Sequence, residues 1–151
     1  MKAIGIKMVD LQPMTAARAS EECYNIGAYP YGTEGYEVTY PDGYKSWCSK
    51  EVADAAYFPL TLKTGDRITG EDVERFIVRG EGIRLGDKTT VVIDSTITGF
   101  DTIGTSACVD PTNYNQEIGN EIARREIDDK IWGHLGFVLQ WAKNGLNFKK
   151  K

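Results

Sequence analysis

The sequence predicts an α+β protein in which a small antiparallel sheet, built from hairpins, packs against a long C-terminal helix that also packs on a second subunit. Two stretches, 36–48 and 89–109, place alternating or β-branched apolar residues on either side of a turn, as antiparallel hairpins do. A third stretch, 114–139, repeats apolar residues at spacings of four or five, which one helical face can bury. The hydrophobic share of 41% and the charged share of 26% are ordinary for a folded domain.

The length of 151 residues suits one compact domain or two very small ones. Thr64-Gly65-Asp66 breaks the chain, and a new helix-capping pattern follows it. We therefore expect an N-terminal α+β module over 1–60 and a strand-hairpin and long-helix domain over 61–151.

The N-terminal half alternates short elements. Residues 2–9 alternate weakly and predict a strand, after which Pro13 opens a helix that ends near Gly27. The turn 41–43, Pro-Asp-Gly, carries the residues that a hairpin turn demands. Ser49 is placed to cap a short helix directly after the return strand.

The middle of the chain predicts a second hairpin. Thr69 opens a helix that Gly80 is expected to end. The stretch 81–87 is glycine-containing, but it follows a helix and lacks the spacing of a dinucleotide-binding turn, so we interpret it as a connector. The threonine- and valine-rich stretch 89–98 and its return, 102–109, predict two paired strands.

The long helix is expected to begin at Asp110, with Pro111 preset for the first turn, or at Asn113. Gly133 and Gly136 predict a kink or an interruption that leaves a second, shorter helical piece. The apolar face that the helix should bury consists of Tyr114, Ile118, Ile122, Ile127, Ile131, Leu135 and Leu139.

Small and charged residues of this helix carry further expectations. Gly119 and Ala123 are four apart, and a glycine inside a helix costs about 1 kcal/mol relative to alanine, so we expect another backbone to approach it closely. That backbone can belong to this chain or to a second copy. Opposite charges four apart support a solvated helical surface by roughly 0.2 to 0.5 kcal/mol a pair; the pairs are Glu121–Arg125, Arg124–Asp128 and Glu126–Lys130.

Charge and composition exclude several classes. A net charge of −4 with a pI near 5.1 argues against a double-stranded nucleic-acid binder, and we interpret the basic end 149–151 as a solubilising tail. No apolar run approaches the roughly 20 residues of a membrane helix, and no signal peptide begins the chain, so a cytosolic protein is expected. Cys23, Cys48 and Cys108 lack zinc-site spacing. We expect reduced thiols, no metal and no cofactor.

The sequence offers little to an enzyme. Cys108 and His134 form the one nucleophile and base pair available, and they stand on different predicted elements 26 residues apart. Asp128 and Asp129 are adjacent, so they face different sides of a helix and are unsuited to share a metal or a proton. We therefore expect a protein without catalytic activity.

Five linked pieces stand out in the C-terminal 65 residues: Thr98-Gly99-Phe100, Thr105-Ser-Ala-Cys-Val-Asp-Pro-Thr-Asn-Tyr114, Glu117-Ile-Gly119, Lys130-Ile-Trp132 and Gly136-Phe137. Together they resemble a family of small phage and prophage proteins that is similar to the phage Thoeris anti-defence sponges. The dipeptide His134-Leu135 departs from the pattern, because the family more often has a leucine followed by an acid there.

The resemblance implies a small antiparallel sheet with C-terminal helices, assembled as a homo-oligomer, a dimer or a higher assembly up to a hexamer. It implies a counter-defence role in the cytoplasm of the host bacterium. Such sponges hold a cyclic ADP-ribose isomer, and some also hold cyclic oligonucleotides, so that the immune signal never reaches its effector. They catalyse nothing.

The first 60 residues contain three further motifs: Pro13-Met14-Thr15, Gly35-Tyr36-Glu37-Val38 and Pro41-Asp-Gly-Tyr44-Lys-Ser-Trp47. These motifs resemble a separate module that recurs in small phage proteins, and the resemblance implies no activity for it. Cys48 stands where the module often has proline.

A nucleotide-like signal needs a flat apolar surface for its base and rigid donors for its phosphates. Phe100, at the predicted hairpin turn, can stack a base or hold the hairpin end. Arg124 and Arg125 lie on neighbouring helix faces, so at most one of them faces the same cleft as Phe100. Asp110 and Asn113 stand at the expected helix start, where free amides attract anions. These five residues are the candidate ligand site, expected at a subunit interface.

A second class of function stays open. Five of the eight tyrosines lie between Tyr24 and Tyr40, and tyrosine is enriched at protein interfaces. The chain can therefore be a phage protein-interaction module, a host-enzyme inhibitor or an accessory particle protein, without a small-molecule ligand.

Overall fold

The computed structural model describes residues 1–146, and the basic tail 149–151 lies outside them. The chain forms two compact units. The first contains Met1–Pro59 and the described chain from Gln140 on, and the second is Leu60–Leu139. The change of unit at residues 59 and 60 falls close to the break in the sequence, whereas the residues from Gln140 on cluster with the first unit.

The first unit is a three-stranded antiparallel sheet with two short helices. The strand order follows the chain, and Leu11 of the first strand pairs with Val38 of the second. The elements are β1 (Asp10–Pro13), α1 (Ala16–Glu21), β2 (Gly35–Thr39), β3 (Lys45–Ser49) and α2 (Lys50–Ala56).

Local capping and one aromatic core residue hold these elements. The hydroxyl of Ser49 accepts a hydrogen bond from the amide of Val52 at 3.4 Å, which confirms the predicted cap and helix. The predicted hairpin around Pro41-Asp-Gly is also confirmed. Trp47 is buried, and its indole Nε1 donates to the carbonyl oxygen of Met14 at 2.9 Å. The core of this unit consists of Met14, Ala16, Ala19 and Trp47.

The predicted strand over 2–9 is wrong, because pairing begins at Asp10. Ile4 is 80% exposed, and Ile6 and Met8 are only half-buried, so the weak alternation of this stretch finds no fully buried face. A strand is held by its neighbour rather than by its own propensity. The helix after Pro13 is confirmed but shorter than expected, since α1 ends at Glu21.

In the second unit, an antiparallel sheet whose strands differ in length packs against the long helix. Its central strand, β6, pairs with β7 on one side and with β4 and β5 on the other. The elements are α3 (Gly70–Phe76), β4 (Ile77–Val78), β5 (Gly82–Leu85), β6 (Thr89–Thr96), β7 (Asp101–Ala107), a 3-10 turn (Pro111–Asn113) and α4 (Gln116–Asn144).

The sheet buries one face under α4. Along β6 the even-numbered residues Thr90, Val92, Asp94 and Thr96 are buried, whereas Ile93 is 45% exposed. The core of the unit consists of Ile68, Val73, Ile77, Val92, Ala123, Ile127, Ile131 and Leu135. The predicted α+β class, with antiparallel strands and a long C-terminal helix packed on the sheet, is confirmed. The packing of that helix on a second subunit stays a prediction.

The structure corrects two expectations about the long helix. α4 runs unbroken through Gly133 and Gly136, so the predicted interruption, with a second, shorter helical piece, is wrong; nothing lies within 4 Å of a Cβ at either position, and a glycine alone does not break a helix. The buried face begins with Gly119 and Ala123, while Ile118 is 57% exposed. Small residues replace the predicted isoleucines because the sheet comes too close for larger ones.

Two further boundaries differ from expectation. α3 ends at Phe76 rather than at Gly80, and the stretch 81–87 contains strand β5 rather than a bare connector. Gly80 marks the crossing between β4 and β5, where a side chain would collide with the carbonyl oxygen of Ile93. A glycine needed for a close backbone approach resembles, in sequence, a glycine that ends a helix.

Candidate functional site

Phe100 stands at the turn between β6 and β7, as expected. Its side chain is 60% exposed, so it is not part of the core. The Phe100 ring meets the imidazole of His134 edge-on, with 6.0 Å between the ring centroids. Its backbone amide donates to the hydroxyl of Thr96 at 3.0 Å. The turn therefore presents an ordered aromatic surface to solvent, beside the only histidine of the chain.

Asp110 caps the 3-10 turn and not the long helix. Its carboxylate accepts from the amide of Thr112 at 2.9 Å and from the hydroxyl of Thr112 at 2.8 Å. The hydrogen bond from that amide, followed by the one from the hydroxyl, holds the pKa of Asp110 below its usual value. The predicted start of the helix at Asp110 or Asn113 is wrong: α4 begins at Gln116, and Asn115 caps it by accepting from the amide of Ile118 at 3.1 Å.

Asn113 lines a small pocket at the start of α4, which we call the helix-start pocket. It has a volume of about 100 Å³. The hydroxyl of Tyr114 lies 2.9 Å from that of Thr90 and donates to Gln116 at 2.5 Å, while the guanidinium of Arg84 lies 4.2 Å from the centre of the Tyr114 ring. The pocket is lined by Lys88, Thr90, Ser106, Ala107, Cys108, Asn113, Tyr114, Asn115, Ile118, Gly119 and Ile122.

Cys108 and His134 lie far apart. Cys108 lines the helix-start pocket together with Ile118, whereas His134 contacts Phe100. Ile118 and His134 are sixteen residues apart on one helix, about 24 Å at a rise of about 1.5 Å per residue. These two side chains therefore form no nucleophile and base pair within the subunit.

Arg124 is engaged in holding the fold. Its Nη2 donates to the carbonyl oxygen of Gly80 at 2.8 Å, and the amide of Gly80 donates to Asp94 at 2.8 Å. The Nε of Arg124 is buried and has no hydrogen-bond partner among residues 1–146. This arginine ties α4 to the crossing between β4 and β5.

Arg125 is the exposed arginine of the pair. Its side chain is 70% exposed and contacts the carboxylate of Glu121, which is itself 65% exposed. Both arginines line an open cleft of about 440 Å³ that we call the arginine cleft. The cleft is lined by Glu74, Arg79, Glu117, Glu121, Arg124, Arg125 and Asp128.

Sequence reasoning missed Arg79, the central cation of this cleft. It lies 2.9 Å from Asp94, 2.8 Å from Asp128 and 2.5 Å from Glu74. Burial lowers the pKa of Arg79, but the three carboxylates outweigh burial and raise it above its usual value. One signal was available: Asp94 occupies an inward position of the alternating strand β6, where a carboxylate requires a cationic partner.

Of the five candidate residues, only Arg124 and Arg125 share a cleft, and the other three occupy separate places in the second unit. Phe100 contacts His134. On α4, His134 lies nine residues from Arg125, which is about 14 Å of helix. Asn113 lines the helix-start pocket, and Asp110 is exposed on the preceding turn. Within one subunit, these residues do not meet around a common cavity.

The face of the sheet turned away from α4 is apolar and exposed, and we call it the open sheet face. The register pairs Ile93 with Ile103, which places both on this face. Its large apolar residues are between 45% and 60% exposed: Val78, Ile83, Leu85, Ile93 and Ile103. Contiguous exposed apolar surface of this kind typically marks an interaction site.

Residues 50–142 match the model of the Phage protein (N4 Gp49/phage Sf6 gene 66) family. The chain belongs to this phage family. The comparisons with curated proteins and with solved structures return no match. The expectation of a small phage protein is confirmed at this level.

The part shared with the phage family runs from α2 through most of α4. It contains all five candidate residues, the helix-start pocket and the arginine cleft, and it leaves residues 1–49 outside the match. Within the described part of this phage protein, no helix combines the length and apolarity needed to span a bilayer. In the same residues, no three His, Cys, Asp or Glu side chains are grouped as metal ligands.

Proposed function

We propose that this phage protein is a counter-defence protein that binds and sequesters a nucleotide-derived immune signal, a cyclic ADP-ribose isomer or a cyclic oligonucleotide, without cleaving it. It would act in the host cytoplasm as a homo-oligomer. Membership of a phage family supports the proposed action inside a phage host. The motifs around Phe100, Asp110 and Asn113 resemble those of the Thoeris anti-defence sponges, and this resemblance supports the proposed binding of a nucleotide-derived signal.

The arginine cleft is the observation that carries the proposal. Its volume of about 440 Å³ falls within the roughly 300 to 1,000 Å³ typical of small-molecule sites, whereas the helix-start pocket, at about 100 Å³, does not. Guanidinium groups recognise phosphates through paired, directed donors.

Arg125 is the arginine that we assign to the ligand. Its pair with Glu121 is exposed on both sides, and such pairs contribute only about 0 to 1 kcal/mol. A phosphate can therefore replace Glu121 at little cost. Arg124 is held by the carbonyl oxygen of Gly80, and Arg79 is held by three carboxylates. We therefore assign both arginines to the support of the cleft.

His134, which contacts Phe100, lies about 14 Å along α4 from Arg125, too far for one phosphate and its base to reach Phe100 and Arg125 in one subunit. We therefore assign the stacking residue and the phosphate arginine of each site to different copies. Self-association would also bury apolar surface such as the open sheet face. The separation of Cys108 from His134 is consistent with sequestration rather than cleavage.

A thermal-shift panel of cyclic ADP-ribose isomers and cyclic di- and trinucleotides tests the proposal. One ligand should raise the unfolding temperature strongly, since a ligand at 100 times its Kd contributes about 2.7 kcal/mol. Arg125→Ala and Phe100→Ala should abolish that shift with the fold intact. Glu121→Gln should strengthen binding, because it removes the competitor of the phosphate.

Arg67→Ala is the matched control, since Arg67 is exposed and lies outside the arginine cleft. It should leave the shift unchanged. If the shift persists in both Arg125→Ala and Phe100→Ala, the ligand binds elsewhere. A nucleotide recovered in its cleaved form after incubation would contradict sequestration.

The second candidate function is a phage protein-interaction module, and the open sheet face favours it. Under this alternative the nucleotide panel gives no shift. A host protein should then bind the full chain in solution, and Ile93→Lys should abolish that binding while Arg125→Ala leaves it unchanged.

A further inference from the structure

The edges of the two sheets differ in how their backbone groups are protected. In an antiparallel pair, alternate residues of an edge strand point their N–H and C=O groups away from the sheet. Such groups pair with other chains unless they are blocked. β1 is only four residues long and ends in Pro13, which lacks an N–H. The outer edge of β1 is therefore poorly suited to pair with a strand of another chain.

The edge of β7 is blocked by side chains of α4. The amide of Thr96 donates to the carbonyl of Phe100, and the register then points Ile103 and Thr105 outward. Glu126 accepts from the amide of Thr105 at 2.8 Å, and Lys130 donates to the carbonyl of Ile103 at 2.7 Å.

Glu126 and Lys130 are also paired with each other at 2.8 Å. The hydrogen bond from Lys130, followed by that from the Thr105 amide, holds the pKa of Glu126 below its usual value. This pair, which the sequence suggested was only a solvated helix pair, covers the β7 edge of the second sheet at Ile103 and Thr105.

The edge of β3 has no such cover. The amide of Tyr40 donates to the carbonyl of Tyr44 at 2.8 Å, and that of Lys50 to Glu34 at 2.9 Å. This register turns the backbone N–H and C=O groups of Lys45 and Trp47 outward. Within residues 1–146 these groups have no hydrogen-bond partner.

An open groove of about 400 Å³ runs beside these residues, between the backbone 44–47 and the segment 22–25. Its far wall is fixed, because the hydroxyl of Tyr24 donates to Glu37 at 2.5 Å and Glu37 accepts from Lys45 at 2.8 Å. The groove charges are already paired, Lys45 with Glu37 and Glu22 with Arg18.

We propose that the free edge of β3 accepts an extended peptide of a partner protein as a fourth strand of the first sheet. Lys45 and Trp47 would each exchange hydrogen bonds with the added strand, which fits a segment of about three to five residues. Because Lys45, the charge at the edge itself, is held by Glu37, whose side chain is only 11% exposed, the segment is uncharged and rich in β-branched or aromatic residues. Tyr44, 64% exposed, also lines the groove and would contact the added strand. This surface lies in residues outside the family match and is independent of nucleotide binding.

To test the proposal, peptides that bind the full chain are selected from a displayed library of random heptapeptides. The selected peptides are then synthesised, and their binding is measured by titration. Lys45→Pro removes one outward N–H without touching the β2–β3 ladder, whereas Lys45→Ala removes the same side chain and keeps the N–H. We expect Lys45→Pro to weaken binding by at least about fivefold and Lys45→Ala by less than about twofold.

Amide hydrogen exchange on the unmodified chain supplies a readout that needs no variant. Without peptide, the amides of Lys45 and Trp47 should exchange faster than those of Ser46 and Cys48, which face β2. The selected peptide should slow the exchange of Lys45 and Trp47. Failure to select any peptide that binds in titration, equal binding to Lys45→Pro and Lys45→Ala, or unchanged exchange at Lys45 and Trp47 would each overturn the proposal.

Discussion

At the scale of single residues, Asp72 shows how one side chain joins two segments. It is fully buried, and it accepts hydrogen bonds from the amide and hydroxyl of Thr61 and from the amide and hydroxyl of Thr69, all between 2.8 and 2.9 Å. Burial alone would raise the pKa of Asp72, but these hydrogen bonds outweigh it and hold the pKa below its usual value. The predicted cap at Thr69 thus becomes a reciprocal capping box with a buried anchor.

Asp72→Asn should lower the free energy of unfolding by about 2 kcal/mol, since an amide can accept on one side only and leaves buried donors unpaired. Urea denaturation followed by circular dichroism measures the change. Glu71→Gln is the matched control, because Glu71 is exposed in the same helical turn. Equal midpoints for the two variants would contradict the role assigned to Asp72.

The same carboxylate predicts a pH dependence. Its folded-state pKa is depressed, so its stabilising contribution is complete above the unfolded-state pKa of about 3.9 and disappears as pH falls through the folded-state value. The free energy of unfolding of the unmodified protein should fall between about pH 5 and pH 2. Asp72→Asn should show a smaller fall over that range. Parallel curves would show that another group is responsible.

At the scale of elements, α4 and the sheet meet through glycine. A side chain at Gly104 of β7 would collide with the carbonyl oxygen of Ala123 and lie 2.9 Å from Ile127. A side chain at Gly119 would collide with the hydroxyl of Thr90. The close backbone approach is confirmed at Ala123, where it comes from Gly104 of the same chain, whereas the atoms closest to Gly119 belong to the side chains of Thr90 and Ser106.

Gly104→Ala should therefore destabilise the protein by about 1 to 3 kcal/mol or more, because neither a backbone carbonyl nor a packed helix can yield easily. Gly133→Ala is the matched control: it sits in the middle of α4 with nothing within 4 Å. It should stabilise the protein by up to about 1 kcal/mol through helix propensity. Thermal unfolding of both variants measures the two effects, and a loss of stability in Gly133→Ala would contradict this description.

At the scale of the whole molecule, the open sheet face and the proposed shared site both require a second copy. The unmodified chain should sediment as a dimer or a higher assembly, because five large apolar side chains on one face are about half exposed. Ile93→Lys should shift the protein toward the monomer by placing a charge in the interface. Val109→Lys is the control, since Val109 is 94% exposed and follows the end of β7. A monomer at about 100 µM for the unmodified chain would contradict self-association of useful strength.

The sequence by itself determined the features that depend on neighbours along the chain. Caps such as Ser49 and Thr69, the Pro41-Asp-Gly turn and the β6–β7 hairpin follow from local hydrogen bonding and backbone preference. The spacing of the apolar residues alone predicted the helix in the C-terminal region and the α+β class of the fold.

Only the tertiary structure decided which side chains meet. It selected Gly119 and Ala123 over Ile118 and Ile122 as the buried face of α4, because the distance between helix and sheet leaves no room for larger residues. It also separated Arg124, held by a backbone carbonyl, from Arg125, left to solvent. Adjacent residues carry the same local signal, and only the position of a distant strand distinguishes an arginine that supports the cleft from one that is free to bind.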